Sequence, residues 1–187
     1  AVAEQGYTVR MTPGHELTPD DWRFFHRASV ATSDRKWGGA YLTEAFFVAL
    51  GQAMPDTMML CMGFKDGHPV AGALHARGAD TLFGRQWGCV GQHAFLHFEC
   101  CYYQAVEYAL AHGLRRVEAG AQGTHKISRG YLPHRTFSMH ALLHRPLRDA
   151  VAAFLEQERA AVTSNMEELS EYGPFRAADG APGPSQG

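Results

Sequence analysis

An α/β fold, a mixed sheet with flanking helices, is predicted by three features of this 187-residue chain. A run of strand-like segments beginning at Thr57 is broken by Asp66-Gly67, a strong hairpin signal. A helix-length apolar segment, FECCYYQAVEYALAHG, then separates that run from another strand-like segment, LRRVEAGA. A strand that follows such a crossover joins its neighbour parallel, whereas the hairpin-linked strands before it are antiparallel.

The elements follow in order. A short strand is expected over residues 7–11. In TPDDW, Thr18 is an N-cap, Pro19 takes the first helical position and two acids occupy the first turn, so a helix is predicted over 19–31. A second helix is predicted over 43–53, with Glu44 in its first turn and Met54-Pro55 ending it. Between them SDRKWGGAYL reads as a loop whose Trp37 and Tyr41 can line a pocket. Three antiparallel strands follow from Thr57, with Gly78-Ala79-Asp80 as the second turn. The segment 98–113 has apolar or aromatic residues on most faces and ends in Gly113, so it reads as a mostly buried helix. After the parallel strand comes a loop rich in glycine and basic residues, then RTFSMHALLH as a strand over 135–144 and a long helix over 146–172. Residues 177–187 read as a disordered tail, leaving 1–176 as one domain.

Composition narrows the function. The apolar content, 45%, suffices for one domain with a real core. Lys plus Arg number 17 against 19 acids, so no global field draws the chain to nucleic acid or an anionic membrane. Charge is nonetheless segregated: residues 115–148 hold seven Lys or Arg and one acid, whereas 149–187 hold seven acids and two Arg. Any anion site is therefore local. No apolar run approaches the roughly 20 residues that span a bilayer, and no signal sequence opens the chain. An opening without Met, AVAEQGYTVRM, fits a piece of something longer. Cys61, Cys89, Cys100 and Cys101 lie in apolar segments without a CxxC pair and read as buried reduced thiols, which points to a reducing, cytoplasmic compartment.

The most unusual stretch is EAGAQGTHKISRGYLP, residues 118–133, where His125, Lys126 and Arg129 are packed among Gly120, Gly123 and Gly130. Its glycines let main-chain N–H groups approach a phosphate or carboxylate, and Lys126 and Arg129 supply charge-assisted hydrogen bonds. Gln122 and Tyr131 complete this candidate binding loop. The alternative is a glycine-rich connector with solvated cations. His125 is an acid, a hydrogen-bond donor or a filler of the loop.

The order of elements is that of the acyl-CoA N-acyltransferase (GNAT) fold, which the chain resembles. In that fold a cleft opens where the last meander strand, here TLFGRQWGC, splays from the strand after the central helix. The strings KWGGAYL, FFVALGQAMPD, VAGAL, TLFGRQWGC, LHFECCYYQAVEYA and EAGAQGTHKISRGYLP resemble the FemAB-like, GNAT-like family of peptidoglycan biosynthesis/recognition proteins over about residues 1–176. The resemblance implies a protein with two GNAT-like halves, of which this would be the C-terminal one, with an upstream half as partner. It implies transfer of an acyl or aminoacyl group to an amine of a small-molecule or peptide acceptor, such as a peptidoglycan precursor. The donor it implies is an acyl-CoA or the end of an aminoacyl-tRNA; the residues themselves indicate no cofactor. Two positions depart from pattern. GCVGQHAFLH lacks the Gln/Arg-x-x-Gly-x-Gly/Ala signature that cradles the CoA pyrophosphate, which argues against acetyl-CoA, and Thr124 stands where the family motif would carry an acid.

Several residues are candidates for the chemistry. Glu118, on the strand entering the loop, is a cleft base of raised pKa that deprotonates an ammonium nucleophile, or it is the partner of Arg115 or Arg116 in a surface ion pair. Glu99 can orient His97 or Arg85, and the Tyr102 hydroxyl can protonate a leaving group; their plainer roles are helix capping and core packing. Arg85, Trp87 and Trp37 make a cation and aromatic wall for an amide or sugar, or the tryptophans fill the core. Eleven histidines suggest a metal, yet neither an HExxH motif nor a Cys/His cluster occurs, and the cations near His125 and His134 would repel one. Without a basic helix, duplex binding is not expected. Two functions remain: an acyl or aminoacyl transferase, working as a monomer or homo-oligomer, or a catalytically silent module that binds an anionic ligand.

Overall fold

The computed structural model describes residues 2–35, 39, 41–120 and 123–174. They form two compact units, Ala1–Ala121 and Gln122–Gly187. The tail expected over 177–187 lies outside the described residues.

The first unit is a five-stranded sheet in the order β1-β2-β3-β4-β5. Its strands are β1 (Tyr7–Pro13), β2 (Met58–Lys65), β3 (His68–Arg77), β4 (Thr81–Cys89) and β5 (Arg116–Glu118). The first four pair antiparallel and β5 joins β4 parallel, as the crossover helix predicts. Asp66 and Gly67 both have positive φ, 51° and 79°, which is the turn a two-residue hairpin requires between Lys65 and His68.

Two helices, α1 (Pro19–Asp34) and α2 (Glu44–Ala53), cover one face of the sheet. Thr18 and Asp21 cap α1 reciprocally, and Thr43 accepts from Phe46 N–H to start α2. Successive residues of β2 serve opposite faces. Met58, Leu60 and Met62 pack with Trp22, Phe25 and Phe47. Met59 and Cys61 instead join the clusters built around the central helix, with Ala105 and with Leu96 and Cys100 respectively. β2 is therefore buried on both sides, which explains its unbroken apolar run.

The central helix is not uniform. It begins as α3 (Leu96–Phe98), passes through a π-helical segment (Glu99–Tyr103) and continues as α4 (Gln104–Ala111). Phe95, just before it, has a left-handed backbone at φ 65°.

The second unit holds a 3-10 helix (Thr124–Arg129) and α5 (Arg145–Glu171), with Arg135 donating to the Thr163 hydroxyl at 2.9 Å. The strand predicted over 135–144 is not formed, and residues 131–143 carry no regular secondary structure. Phe137, Met139 and Leu143 keep the alternation of a strand but are 86%, 99% and 95% exposed. A strand needs a partner edge for its main-chain groups, and this unit contains no other strand among the described residues.

Candidate functional site

The end of β5 marks a fork in the sheet. The parallel ladder has three pairs, Thr81↔Arg116, Leu82↔Val117 and Phe83↔Glu118, and stops there although β4 runs on to Cys89. Immediately beyond, the pairing of β3 with β4 slips from His75↔Gly84 to Leu74↔Gln86. Arg85 is thus the extra residue of a β-bulge, a feature that re-aims side chains and often borders functional sites. The β4 edge past Phe83 is free of β5. Glu118 sits half-buried at the fork, with its main chain against Gly84: a Cβ there would lie 3.2 Å from the Glu118 carbonyl oxygen. Among the described residues Glu118 forms no ion pair with Arg115 or Arg116.

Bulging and strand alternation split β4 between two surfaces. Trp87 turns toward the central helix, where its ring meets His97 edge-on at 5.2 Å, and His97 in turn meets Tyr102 at 5.4 Å. Tyr102 is 4% exposed, so its ring packs in the core. Glu99 Oε1 accepts from Gln104 Nε2 at 3.0 Å, and the same nitrogen donates to Glu107 Oε2 at 2.9 Å. The Glu99 carboxylate, expected to orient His97 or Arg85, is thus held by Gln104. Glu99 and Tyr102 both belong to the π-helical segment, a departure from α geometry that recurs at functional sites. Arg85 is exposed, and Trp37 lies outside the described residues.

The basic loop folds in the second unit. Its 3-10 helix buries Ile127 and ends at Gly130 with φ 89°. Several main-chain donors serve the turn itself: Lys126 N–H to Gly123 O, Gly130 N–H to Ile127 O and Tyr131 N–H to Lys126 O. Arg129 Nη1 donates to the His125 carbonyl oxygen at 2.6 Å, closing the turn from outside. Lys126 and Tyr131 are half-buried and His125 is exposed. Gly120, at φ 74°, ends the first unit's strand segment, and Gln122 lies outside the described residues.

Two polar groups escape the sequence reading. Tyr7 hydroxyl lies 2.7 Å from His93 Nδ1, and His93 Nε2 lies 2.9 Å from Val90 O. A carbonyl only accepts, so Nε2 donates to it and Nδ1 accepts from Tyr7. Second, His26 Nδ1 and Ser29 Oγ are buried without a hydrogen-bond partner among the described residues, beside a recess between α1, α2 and β4. Helical spacing could have found the latter, because Ser29 falls on the face of α1 that buries Trp22 and Phe25.

The four cysteines are free thiols. A hydrogen bond with Cys100 and burial push Cys61 well above the ordinary thiol range, and burial raises Cys89. Such thiols are unreactive. Among the described residues no group of His, Cys, Asp and Glu is arranged to hold a metal ion, and no helix is long and apolar enough to cross a membrane.

Comparison with solved structures defines the class: the fold is that of the GNAT acetyltransferases. A possible acetyltransferase from Clostridium difficile 630 superposes with a TM-score of 0.54 at 8% identity, over 74% of this chain and 99% of its own. An aminoglycoside acetyltransferase from an uncultured soil metagenomic sample, in complex with sisomicin, gives 0.53 at 8% identity, over 75% and 98%. An aminoglycoside N-acetyltransferase in complex with CoA gives 0.50 at 10% identity, over 73% and 95%. Comparison with curated proteins yields no significant match. The chain belongs to the FemAB-like family, described as peptidoglycan biosynthesis/recognition, whose model matches residues 1–177.

Proposed function

We propose that this chain is an acyl or aminoacyl transferase acting on an amine, with its chemistry at the fork between β4 and β5. The observation that carries the reading is the end of the parallel ladder at Phe83↔Glu118, which brings Glu118 to the point where β4 runs on past β5 with a bulge at Arg85. Family membership and the fold support it.

The amine nitrogen attacks the acyl carbonyl carbon, a C–N bond forms, and the bond to the leaving sulfur or oxygen breaks. Glu118 takes the proton that the ammonium must lose and passes it to the leaving group or to solvent. Main-chain N–H groups along the open β4 edge stabilise the oxyanion of the tetrahedral intermediate. The donor is an acyl-CoA or an aminoacyl-tRNA: a structural neighbour carries CoA, whereas GCVGQHAFLH lacks the signature that cradles the CoA pyrophosphate. The acceptor is an amine of a peptidoglycan precursor, in keeping with the family description. In the second unit Lys126 and Arg129 offer positive charge for a phosphate or carboxylate of one substrate.

An acyl-transfer assay tests this on the full-length protein, with acetyl-CoA or aminoacyl-tRNA as donor and a UDP-linked muramyl peptide as acceptor. Glu118→Gln is expected to lower kcat/KM by about a hundredfold or more while the melting temperature holds. Full activity in that variant would remove Glu118 from the mechanism. Binding of the muramyl peptide without turnover of either donor would make the chain a recognition module.

A further inference from the structure

His75 is a buried titratable group that the chemistry at the fork does not use. It lies on β3 in the first unit and is only 1% exposed. Its Nδ1 is 3.2 Å from the Ala73 carbonyl oxygen, and the ring also bonds the Cys101 carbonyl of the π-helical segment. Both partners are main-chain acceptors, so the ring must donate an N–H to bond either. Burial keeps the imidazole neutral at pH 7, with a pKa of about 4, and a neutral ring carries a single N–H for the two carbonyls. An apolar residue of similar volume would fill the space and bond neither.

The same residue marks where the pairing of β3 with β4 slips. It pairs with Gly84, the next pair is Leu74↔Gln86, and Arg85 bulges between them. Gly84 in turn supports the fork: a Cβ there would lie 3.2 Å from the Glu118 carbonyl oxygen and 3.6 Å from Ala119 Cα. A Cβ on Gly120 would lie 3.5 Å from the Gly84 carbonyl oxygen. The main chain that delivers Glu118 therefore rests on the β4 residue paired with His75. A one-residue slip turns side chains to the opposite face, so the place of the bulge decides what β4 sets against Glu118. Through Cys101 the ring also holds the segment that carries Glu99 and Tyr102.

We infer that His75 is a positioning residue for the transfer reaction: it ties the β3–β4 bulge to the π-helical segment and so holds Glu118 at the fork. The inference rests on the proposed chemistry there and adds to it a residue that is too deeply buried to touch a substrate.

Two measurements on the full-length protein test it, with His75→Leu, which donates no hydrogen bond, and His75→Gln, which keeps an N–H donor. His75→Met, whose flexible side chain fills irregular space, replaces His75→Leu should the latter not fold. In the acyl-transfer assay the non-donor variant is expected to lower kcat about tenfold or more with KM held within about twofold, and His75→Gln to recover most of the loss. Amide hydrogen exchange should quicken about tenfold in residues 83–86 and 116–120 of the non-donor variant, and not in β1 or β2. A histidine that merely supports the core would instead loosen the whole sheet evenly. Such an even loss, or unchanged kcat and unchanged local exchange, overturns the inference. Loss of activity in Glu118→Gln with none in the His75 variants overturns it too and leaves Glu118 as the base. Full activity in Glu118→Gln removes the base instead, and the exchange pattern alone then decides whether His75 fixes the fork.

Discussion

In the first unit Leu60, Met62 and Leu82 are completely hidden, whereas α5 in the second unit, 27 residues long, fully buries none of its own. Yet Leu147, Phe154 and Val162 recur along one side of α5 at helical spacing, as regular a pattern as that of α1. Apolar periodicity specifies an element, and a facing surface decides whether that element is buried. The failed strand over 135–144 shows the same dependence: Phe137 and Met139 alternate as in a strand, but their own unit offers no other strand among the described residues.

Three perturbations sharpen this contrast. Gly88→Ala should have the largest effect, roughly 3 kcal/mol of lost stability, because the new Cβ would meet the main chain of Ala28 and Ser29 and push α1 off the sheet. Chemical denaturation measures it, and a loss well under 1 kcal/mol would mean that the α1–β4 packing yields easily.

Acidification should come next. Burial lowers the pKa of His75 to about 4, against partial compensation from the Ala73 and Cys101 carbonyls. A base with a depressed folded-state pKa binds fewer protons folded than unfolded between about pH 4 and 6.5, so stability falls as pH falls through that window. The expected loss from pH 7 to pH 5 is about 2 kcal/mol. Melting curves across that range should show the slope, and His75→Leu should flatten it.

Phe154→Ser, on the open face of α5, should change stability by less than about 0.5 kcal/mol. A loss near that of Gly88→Ala would show that a partner covers this face in solution.

Much of the fold was legible. Thr18-Pro19 and Thr43 start their helices where the capping rules place them, Asp66-Gly67 makes the hairpin, and the crossover makes β5 parallel. These signals act within a few residues, or follow from chain connectivity. The site was legible only in part. Glu118 could be placed on a strand entering the loop, but the length of its ladder could not, and the expected eight-residue strand pairs over only three. Glu99 was found as a polar residue at the start of the central helix, while its partner Gln104 depends on the π-helical widening between them. Ser29 was overlooked because a serine between Ala28 and Val30 reads as an ordinary helix position until its neighbours are known.

The sequence by itself determined the helices α1 and α2, the hairpin-linked strands and their order, the parallel crossover and the segregation of basic and acidic charge in the second half. Those properties reside in main-chain preferences and in spacing along one chain. Tertiary structure decided where β4 leaves β5, which residue bulges, which strand pattern finds no edge, and which polar atoms of α1 remain unpaired. Each of these depends on backbones brought together from distant positions, as Gly88 and Ser29 are, and such contacts carry no local signal.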